Sequence, residues 1–272
     1  MALAIENQLA ATGVEIGGLP IALRSENREF IRMVESRYGS FVCAPEHATS
    51  EFQIAVAPPS SGMTADDELE VRRIDGEWVM RRGDFVARWN PRTRRGLVRC
   101  GLYPYAIDAV LRIVHSLVLA EERDGFLLHS ASAIRKGRAF LFSGLSGAGK
   151  TTIARLAPPD VTLLSDEISY LRRSGRGYRA FGTPFAGELG IAGEPVNAPL
   201  AAVYFLQQGT ENCIRPMPAA VAVRKLLRNV LFFAKDDQLV ENLFDIGCEF
   251  ISAAPPFELT FRPEPGVWEL IV

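Results

Sequence analysis

The stretch that most constrains this 272-residue chain is 138–156, RAFLFSGLSGAGKTTIARL. Four apolar residues, Ala139 to Phe142, run straight into a glycine-punctuated turn, Gly144-Leu-Ser-Gly-Ala-Gly149-Lys150-Thr151, and Thr152 to Leu156 then take up helical character. A strand, a glycine loop and a helix in that order is the setting in which the Walker A pattern carries physical meaning. Glycines let successive backbone N–H groups turn inward with no Cβ in the way, so the loop becomes a nest for an anion at the positive end of a helix. Gly144, Ser146, Gly147, Ala148, Gly149, Lys150, Thr151 and Thr152 are therefore the expected phosphate-binding residues. Lys150 supplies a point charge for the β- and γ-phosphates of ATP, and the Thr151 hydroxyl a ligand for the Mg²⁺ that bridges them.

Two flanking strands extend this picture. Phe126 to Ile134 is apolar and is separated from the Walker strand only by Arg135-Lys-Gly-Arg138, so the two form an antiparallel hairpin. With Lys136-Gly137 as the central turn residues, pairing partners sum to 273, and His129 falls opposite Gly144, at the rim of the phosphate loop. A slip of one residue would turn the imidazole to the other face. Downstream, Val161 to Ser165 is a short apolar strand that delivers Asp166-Glu167, which is the Walker B arrangement of a carboxylate beside Mg²⁺. Asp166 is the expected metal ligand with Thr151. Two adjacent acids allow one to hold the metal and the other to accept a substrate proton, and the sequence leaves open which is which. Lys150, His129, Asp166 and Glu167 make up the expected catalytic set.

Elsewhere the chain reads in pieces. Residues 1–20 have no clear period and fit an arm or a first edge strand. From Ile21 to Cys100 the pattern is of short alternating strands with turns at Asp75-Gly76 and Arg82-Gly83, broken by a loop at 58–62, and it predicts an antiparallel strand-rich region over 1–102. The basic run holding Arg92, Arg94, Arg95 and Arg99 reads as a solvated hairpin tip. Ile107, Val110, Leu111, Val114, Leu117 and Val118 share one stripe, which predicts a connecting helix over 103–124 with a structural His115 and Gly125 at its C-terminal turn. The remainder, 125–272, is the expected catalytic domain. It adds a hairpin over 168–182, a glycine-rich loop with Gly187 and Glu188 as candidate substrate contacts, a buried strand at 199–206, helices at 219–235 and 237–251, and a closing strand at 257–262.

Composition excludes several classes. A net charge of −2 gives no electrostatic footprint for nucleic acid or an anionic membrane, and no apolar run approaches the ~20 residues of a membrane span. The N-terminal stretch lacks a basic region ahead of its apolar residues and does not read as a secretory signal, so a cytoplasmic protein is expected. Cys43, Cys100, Cys213 and Cys248 are far apart and outside any CxxC or Cys/His spacing, which argues against disulfides and zinc.

The combination of Leu127-Leu-His129, the segment Gly137 to Thr151, Leu163-Leu-Ser-Asp166-Glu167 and Gly187-Glu-Leu-Gly-Ile191 resembles the catalytic domain of HPr kinase/phosphorylase and its wider relatives. That resemblance covers 125–272 and implies an α/β (α+β) fold with a mixed sheet, the P-loop fold shared with phosphoenolpyruvate carboxykinases, preceded here by the smaller strand-rich region. It implies an ATP- and Mg²⁺-dependent transfer to a serine hydroxyl, with His129 near the transferred group, and homo-oligomers are frequent among such relatives. Three positions depart from the family: Glu167 stands where its bacterial kinase/phosphorylases carry Asp, Gly187 stands where an arginine is expected, and residues 1–124 do not look like the usual N-terminal domain. The closer likeness is to HPr-kinase-related proteins of peptide-modification clusters, including lasso-peptide kinases, which implies a peptide or protein substrate. A small-molecule acceptor, or a nucleotide-binding regulatory module that has lost transfer, are the alternatives.

Overall fold

The computed structural model describes residues 9–58 and 66–272. Most of the expected loop at 58–62 lies outside the described residues. The chain is α/β and forms two compact units, one of residues 1–114 with 233–236, the other of 115–232 with 237–272.

The first unit is built on a single sheet of eight strands in the order β3-β1-β2-β4-β8-β7-β6-β5. Its strands are β1 (Ala10–Ile16), β2 (Leu19–Ser25), β3 (Val42–Cys43), β4 (Ser50–Val56), β5 (Glu70–Ile74), β6 (Glu77–Arg82), β7 (Phe85–Asn90) and β8 (Arg95–Cys100). β5 to β8 make an antiparallel meander, as the alternation predicts, and Asp75-Gly76 turns it with both residues at positive φ (50° and 83°). The next turn sits one residue later than expected, at Gly83-Asp84, because Arg82 pairs with Phe85. Arg92 and Arg95 are exposed at the tip between β7 and β8.

The sheet is not wholly antiparallel, in contrast to the expectation: β2–β4 and β4–β8 are parallel. The reason is a helix that strand periodicity concealed, α1 (Arg28–Tyr38), which carries the chain back across the sheet so that β4 can lie beside β2 in the same direction. Its signals are local. Asn27 accepts a hydrogen bond from the Phe30 N–H at 2.9 Å, Phe30, Ile31, Val34 and Tyr38 fall on one buried face, and Gly39 ends it at positive φ. A cap of this kind is worth ~1 kcal/mol.

Helix α2 (Tyr105–Glu121) carries the expected stripe, every member of which is buried. Its C-terminal turn is not made by Gly125. The left-handed residue is Arg123 (φ 54°), and Gly125 instead opens a strand where a Cβ would lie 1.9 Å from the Leu171 carbonyl oxygen. His115 is fully buried, with its Nδ1 3.0 Å from the Tyr170 hydroxyl, and burial pushes its pKa down to about 3.

In the second unit, two long strands organise everything: β9 (Gly125–Arg135) and β14 (Asn197–Gln208). The others are β10 (Arg138–Ser143), β11 (Val161–Ser165), β12 (Ile168–Ser174), β13 (Gly177–Phe181), β15 (Cys213–Pro216), β16 (Val230–Leu231) and β17 (Pro256–Phe261), with helices α3 (Lys150–Arg155), α4 (Ala219–Leu227) and α5 (Asp237–Ala253). The first half of β9 pairs with β12 and β16, and its second half with β10 and β11. β14 likewise pairs with β13 at its start and with β10 and β17 further on, so the path β10-β9-β12-β13-β14 closes back on β10.

The β9–β10 hairpin has the register read from its turn, from Arg135↔Arg138 to Ser130↔Ser143, and Lys136 and Gly137 both take positive φ. β10 runs parallel to β14, and β14 to β17. A parallel strand between neighbours is buried on both faces, which is why Ala139 to Phe142 read as a continuous apolar run. Phe140, Phe142, Tyr204, Leu259 and Trp268 pack with Ile153 of α3, and the Trp268 indole donates to the Ile153 carbonyl at 3.0 Å.

One helix is shorter than expected. The apolar spacing over 219–235 predicts a single helix, yet α4 stops at Leu227 and Val230-Leu231 pair with Leu128 and Leu127 of β9. Asn229 makes the stop by donating from its side chain to the Lys225 carbonyl. All four cysteines are free. Among the described residues, no helix is long and apolar enough to cross a membrane.

Candidate functional site

The C-terminal ends of β10 and β11 and the midpoint of the antiparallel β9 meet at one edge of the sheet, which is where ligands gather in sheets containing parallel strands. Ser143, fully buried, ends β10, and the loop Gly144–Gly149 leads into α3. Gly147 (φ 78°) and Gly149 (φ 106°) hold conformations that L side chains resist. Gly149 is needed for space as well, since a Cβ there would lie 2.7 Å from the Phe261 ring. The loop is tied internally by the Ala148 N–H to the Leu145 carbonyl, and externally by the Gln208 side chain donating to the Gly147 carbonyl at 2.6 Å.

These ties leave donors free. The backbone N–H groups of Ser146, Gly147 and Gly149 have no hydrogen-bond partner among the described residues, and neither has the half-buried Thr151 hydroxyl. Lys150 is buried, and its ammonium donates to the Gly144 and Leu145 carbonyls at 3.0 and 3.2 Å. Burial lowers its pKa, against the opposing pull of Glu167 and Glu188. Unpartnered N–H groups beside a buried cation fit a bound polyphosphate.

His129 lies on β9 one residue beyond the last hairpin pair, and it pairs across β9–β12 with Ile168. Its Nδ1 is 3.4 Å from Glu167 Oε1. Its backbone N–H donates to the Asn229 carbonyl at 2.8 Å, so the end of α4 fixes this point of the strand. Burial first, then the positive charge of Lys150, lower the His129 pKa, while Glu167 works the other way. The lowered pKa favours the neutral imidazole, which has one nitrogen to donate and one to accept.

The two acids are placed differently. Asp166 is 4% exposed, and its carboxylate accepts the Gly187 N–H on Oδ1 at 2.8 Å and the Leu189 N–H on Oδ2 at 2.9 Å. Glu167 is half-buried and faces His129, its backbone position set by the Ser165 hydroxyl, which accepts from Glu167 N–H at 3.1 Å and Ile168 N–H at 2.8 Å. Asp166 thus clamps the glycine loop while Glu167 keeps its carboxylate open. The clamp explains Gly187: a Cβ there would sit 2.8 Å from the Glu167 Cβ and 2.9 Å from Asp166 Oδ2, so an arginine at this position would displace both acids.

The expected site residues therefore come together from two elements, β9 and α3, and three loops, 144–149, 166–167 and 187–188. Sequence reasoning missed Ser165, whose hydroxyl folds the local turn through the N–H groups of Glu167 and Ile168, and Asn229 and Gln208, which hold His129 and Gly147 through hydrogen bonds of long sequence separation and carry no local signal. Among the described residues, no group of three or more His, Cys, Asp or Glu side chains is arranged for a metal. A divalent cation here would rely on the Thr151 hydroxyl, the remaining lone pairs of Asp166 and the phosphates themselves. A groove of about 550 Å³ leads away from Asp166, lined by Val161, Leu163, Leu189, Ile191 and Val196.

A family model described as SynChlorMet cassette protein ScmC matches residues 105–269, more than half of the chain. Among solved structures, the Hpr(Ser) kinase/phosphatase from Coxiella burnetii is similar with a TM-score of 0.26 and 11% identity, over 44% of this chain and 93% of that one. No curated protein sequence matches significantly.

Proposed function

The chain belongs to the SynChlorMet cassette protein ScmC family, and from the chemistry of its site we propose that it is an ATP- and Mg²⁺-dependent kinase that phosphorylates a serine hydroxyl of a peptide or protein. The observation that carries this reading is the set of unpartnered loop N–H groups beside Lys150, with the His129–Glu167 pair at the same sheet edge. The Thr151 hydroxyl and Asp166 would hold Mg²⁺ together with the nucleotide, and the ion would supply neutralisation of the phosphate charge. The loop N–H groups orient the phosphates, and the Lys150 ammonium stabilises charge that develops on the transferred group.

In this reading the geometry favours Glu167 as the base. Asp166 is committed on both oxygens to the Gly187 and Leu189 N–H groups, so it positions the loop and would offer a metal only its remaining lone pairs. Glu167 takes the hydroxyl proton as the acceptor oxygen bonds to the γ-phosphorus and the bond to the ADP oxygen breaks. His129 holds the Glu167 carboxylate through Nδ1.

The groove beginning at Asp166 favours a peptide over a small molecule. Ile191 is 63% exposed and Val196 43%, and together with Leu189 they form an apolar wall in the groove that Asp166 also lines. Such a wall matches apolar side chains that flank a serine in an extended segment. Ile191→Asp is expected to raise the acceptor KM by about tenfold, on the scale of one lost apolar contact plus a buried charge, with the ATP KM unchanged. An unaltered acceptor KM would remove the groove from the reading.

The direct test is mass spectrometry of peptides encoded beside the gene after incubation with the protein, ATP and Mg²⁺. The expected result is one added phosphoryl group on serine, lost in Glu167→Gln. Glu167→Gln that transfers at the wild-type rate while Asp166→Asn is inert would exchange the two roles. Tight ATP binding without any modified peptide would move the reading to a small-molecule acceptor or a regulatory nucleotide site.

A further inference from the structure

The phosphate loop is bordered by opposite charges. β10 lies between β9 and β14. Toward β9 stand His129, Asp166 and Glu167. Toward β14 opens a cleft of about 340 Å³, bounded by Gly144–Ala148 of the loop, Phe205–Gln208 at the end of β14, and Lys225, Arg228 and Asn229 at the end of α4. Its lining contains two cations and no carboxylate. Lys225 is 3.8 Å from Glu258, whereas Arg228 is exposed and its guanidinium has no partner among the described residues.

The cleft also has an apolar side. Leu145 is 64% exposed on the loop, and Phe205 and Leu206 form the floor behind it, with the Gln207 amide at the rim. An exposed leucine inside a phosphate loop contributes nothing to phosphate binding, but it offers a flat contact to a planar ring. The architecture presents Arg228 on purpose-built support: Asn229 is 8% exposed, its side chain closes α4 on the Lys225 carbonyl, and its own carbonyl accepts from His129.

We propose that this cleft holds the nucleoside end of the nucleotide whose phosphates lie in the loop, with Arg228 drawing the polyphosphate in. The inference rests on the kinase reading above and adds a direction to it. The donor enters from the cationic side and the acceptor from the acidic side. The leaving oxygen of ADP and the attacking hydroxyl then stand on opposite sides of the transferred group, as an in-line displacement requires.

The test is calorimetric titration of Mg-ATP and of Mg-tripolyphosphate into the full chain and two surface variants, Gln207→Trp and Arg228→Glu, whose thermal melts establish that they fold. Gln207→Trp fills the cleft and is expected to weaken ATP roughly tenfold or more while leaving tripolyphosphate within about twofold. Arg228→Glu is expected to weaken both ligands roughly tenfold or more, less so at high salt. Gln207→Trp that binds ATP as the wild type does, or that loses both ligands equally, overturns the nucleoside cleft while the phosphate site stands. Arg228→Glu with unchanged affinities overturns the role of the arginine. Wild-type protein that binds neither ligand overturns the kinase reading itself.

Discussion

Lys150→Ala is expected to reduce phosphoryl transfer by about 10³-fold or more, the scale seen when a preorganised charge on a developing anion is removed, and to abolish measurable ATP binding. The effect is large because of where the ammonium sits. It is buried, it donates to the Gly144 and Leu145 carbonyls, and its ordinary pKa is lowered by that burial. A cation held so close to the loop with only two carbonyl acceptors is poised for an anion that would replace them. Folding is expected to survive, because the alanine leaves the loop tied by Ala148, Gln208 and the packing of Gly149 on Phe261. Transfer rate and ATP affinity are read together with a melting curve. A folded variant that binds ATP and transfers phosphate at the wild-type rate would sink the assignment of the site.

The second large effect concerns acid stability and is independent of catalysis. His115 is fully buried with a pKa of about 3, against 6.5 for a free imidazole, so the folded protein keeps it neutral while the unfolded chain protonates it below 6.5. The stabilisation is complete above 6.5 and is lost progressively as pH falls through the window from 6.5 to about 3. By linkage the loss is roughly 2 kcal/mol at pH 5 and about 5 kcal/mol near the lower end of the window. His115→Phe is expected to flatten the dependence of stability on pH between about 6.5 and 4, whatever its effect at neutral pH, where it also removes the contact with Tyr170 at 3.0 Å. Denaturant melts at several pH values give the slope directly. A variant with the wild-type slope would place the acid sensitivity elsewhere.

Much of the second unit was legible because its signals are local. The loop 144–149 declares itself through glycines whose positive φ and close contacts no other residue tolerates, and the two-residue turn at Lys136-Gly137 fixes the β9–β10 register through its own backbone geometry. Period-2 alternation and turn residues gave the β5–β8 meander for the same reason. α1 is a single helix of eleven residues among short strands, so the surrounding period-2 pattern conceals it, although Asn27 and the spacing of Phe30, Val34 and Tyr38 carry it.

The sequence by itself determined the glycine loop 144–149, the hairpin beside it and the arrival of two acids at a strand end, since each depends on residues within a few positions of one another. Tertiary structure alone decided how those acids differ. Asp166 is clamped by N–H groups 21 and 23 residues away, and Glu167 faces an imidazole on a strand that the chain reaches by a separate route. It also decided that Val230-Leu231 leave helical geometry to pair with β9, which brings Asn229 under His129 and Arg228 to the rim of the loop. The physical reason is common to these cases: long-range hydrogen bonds and packing outweigh propensities of a few tenths of a kcal/mol per residue, roughly, and nothing in a local window records which distant partner will be there.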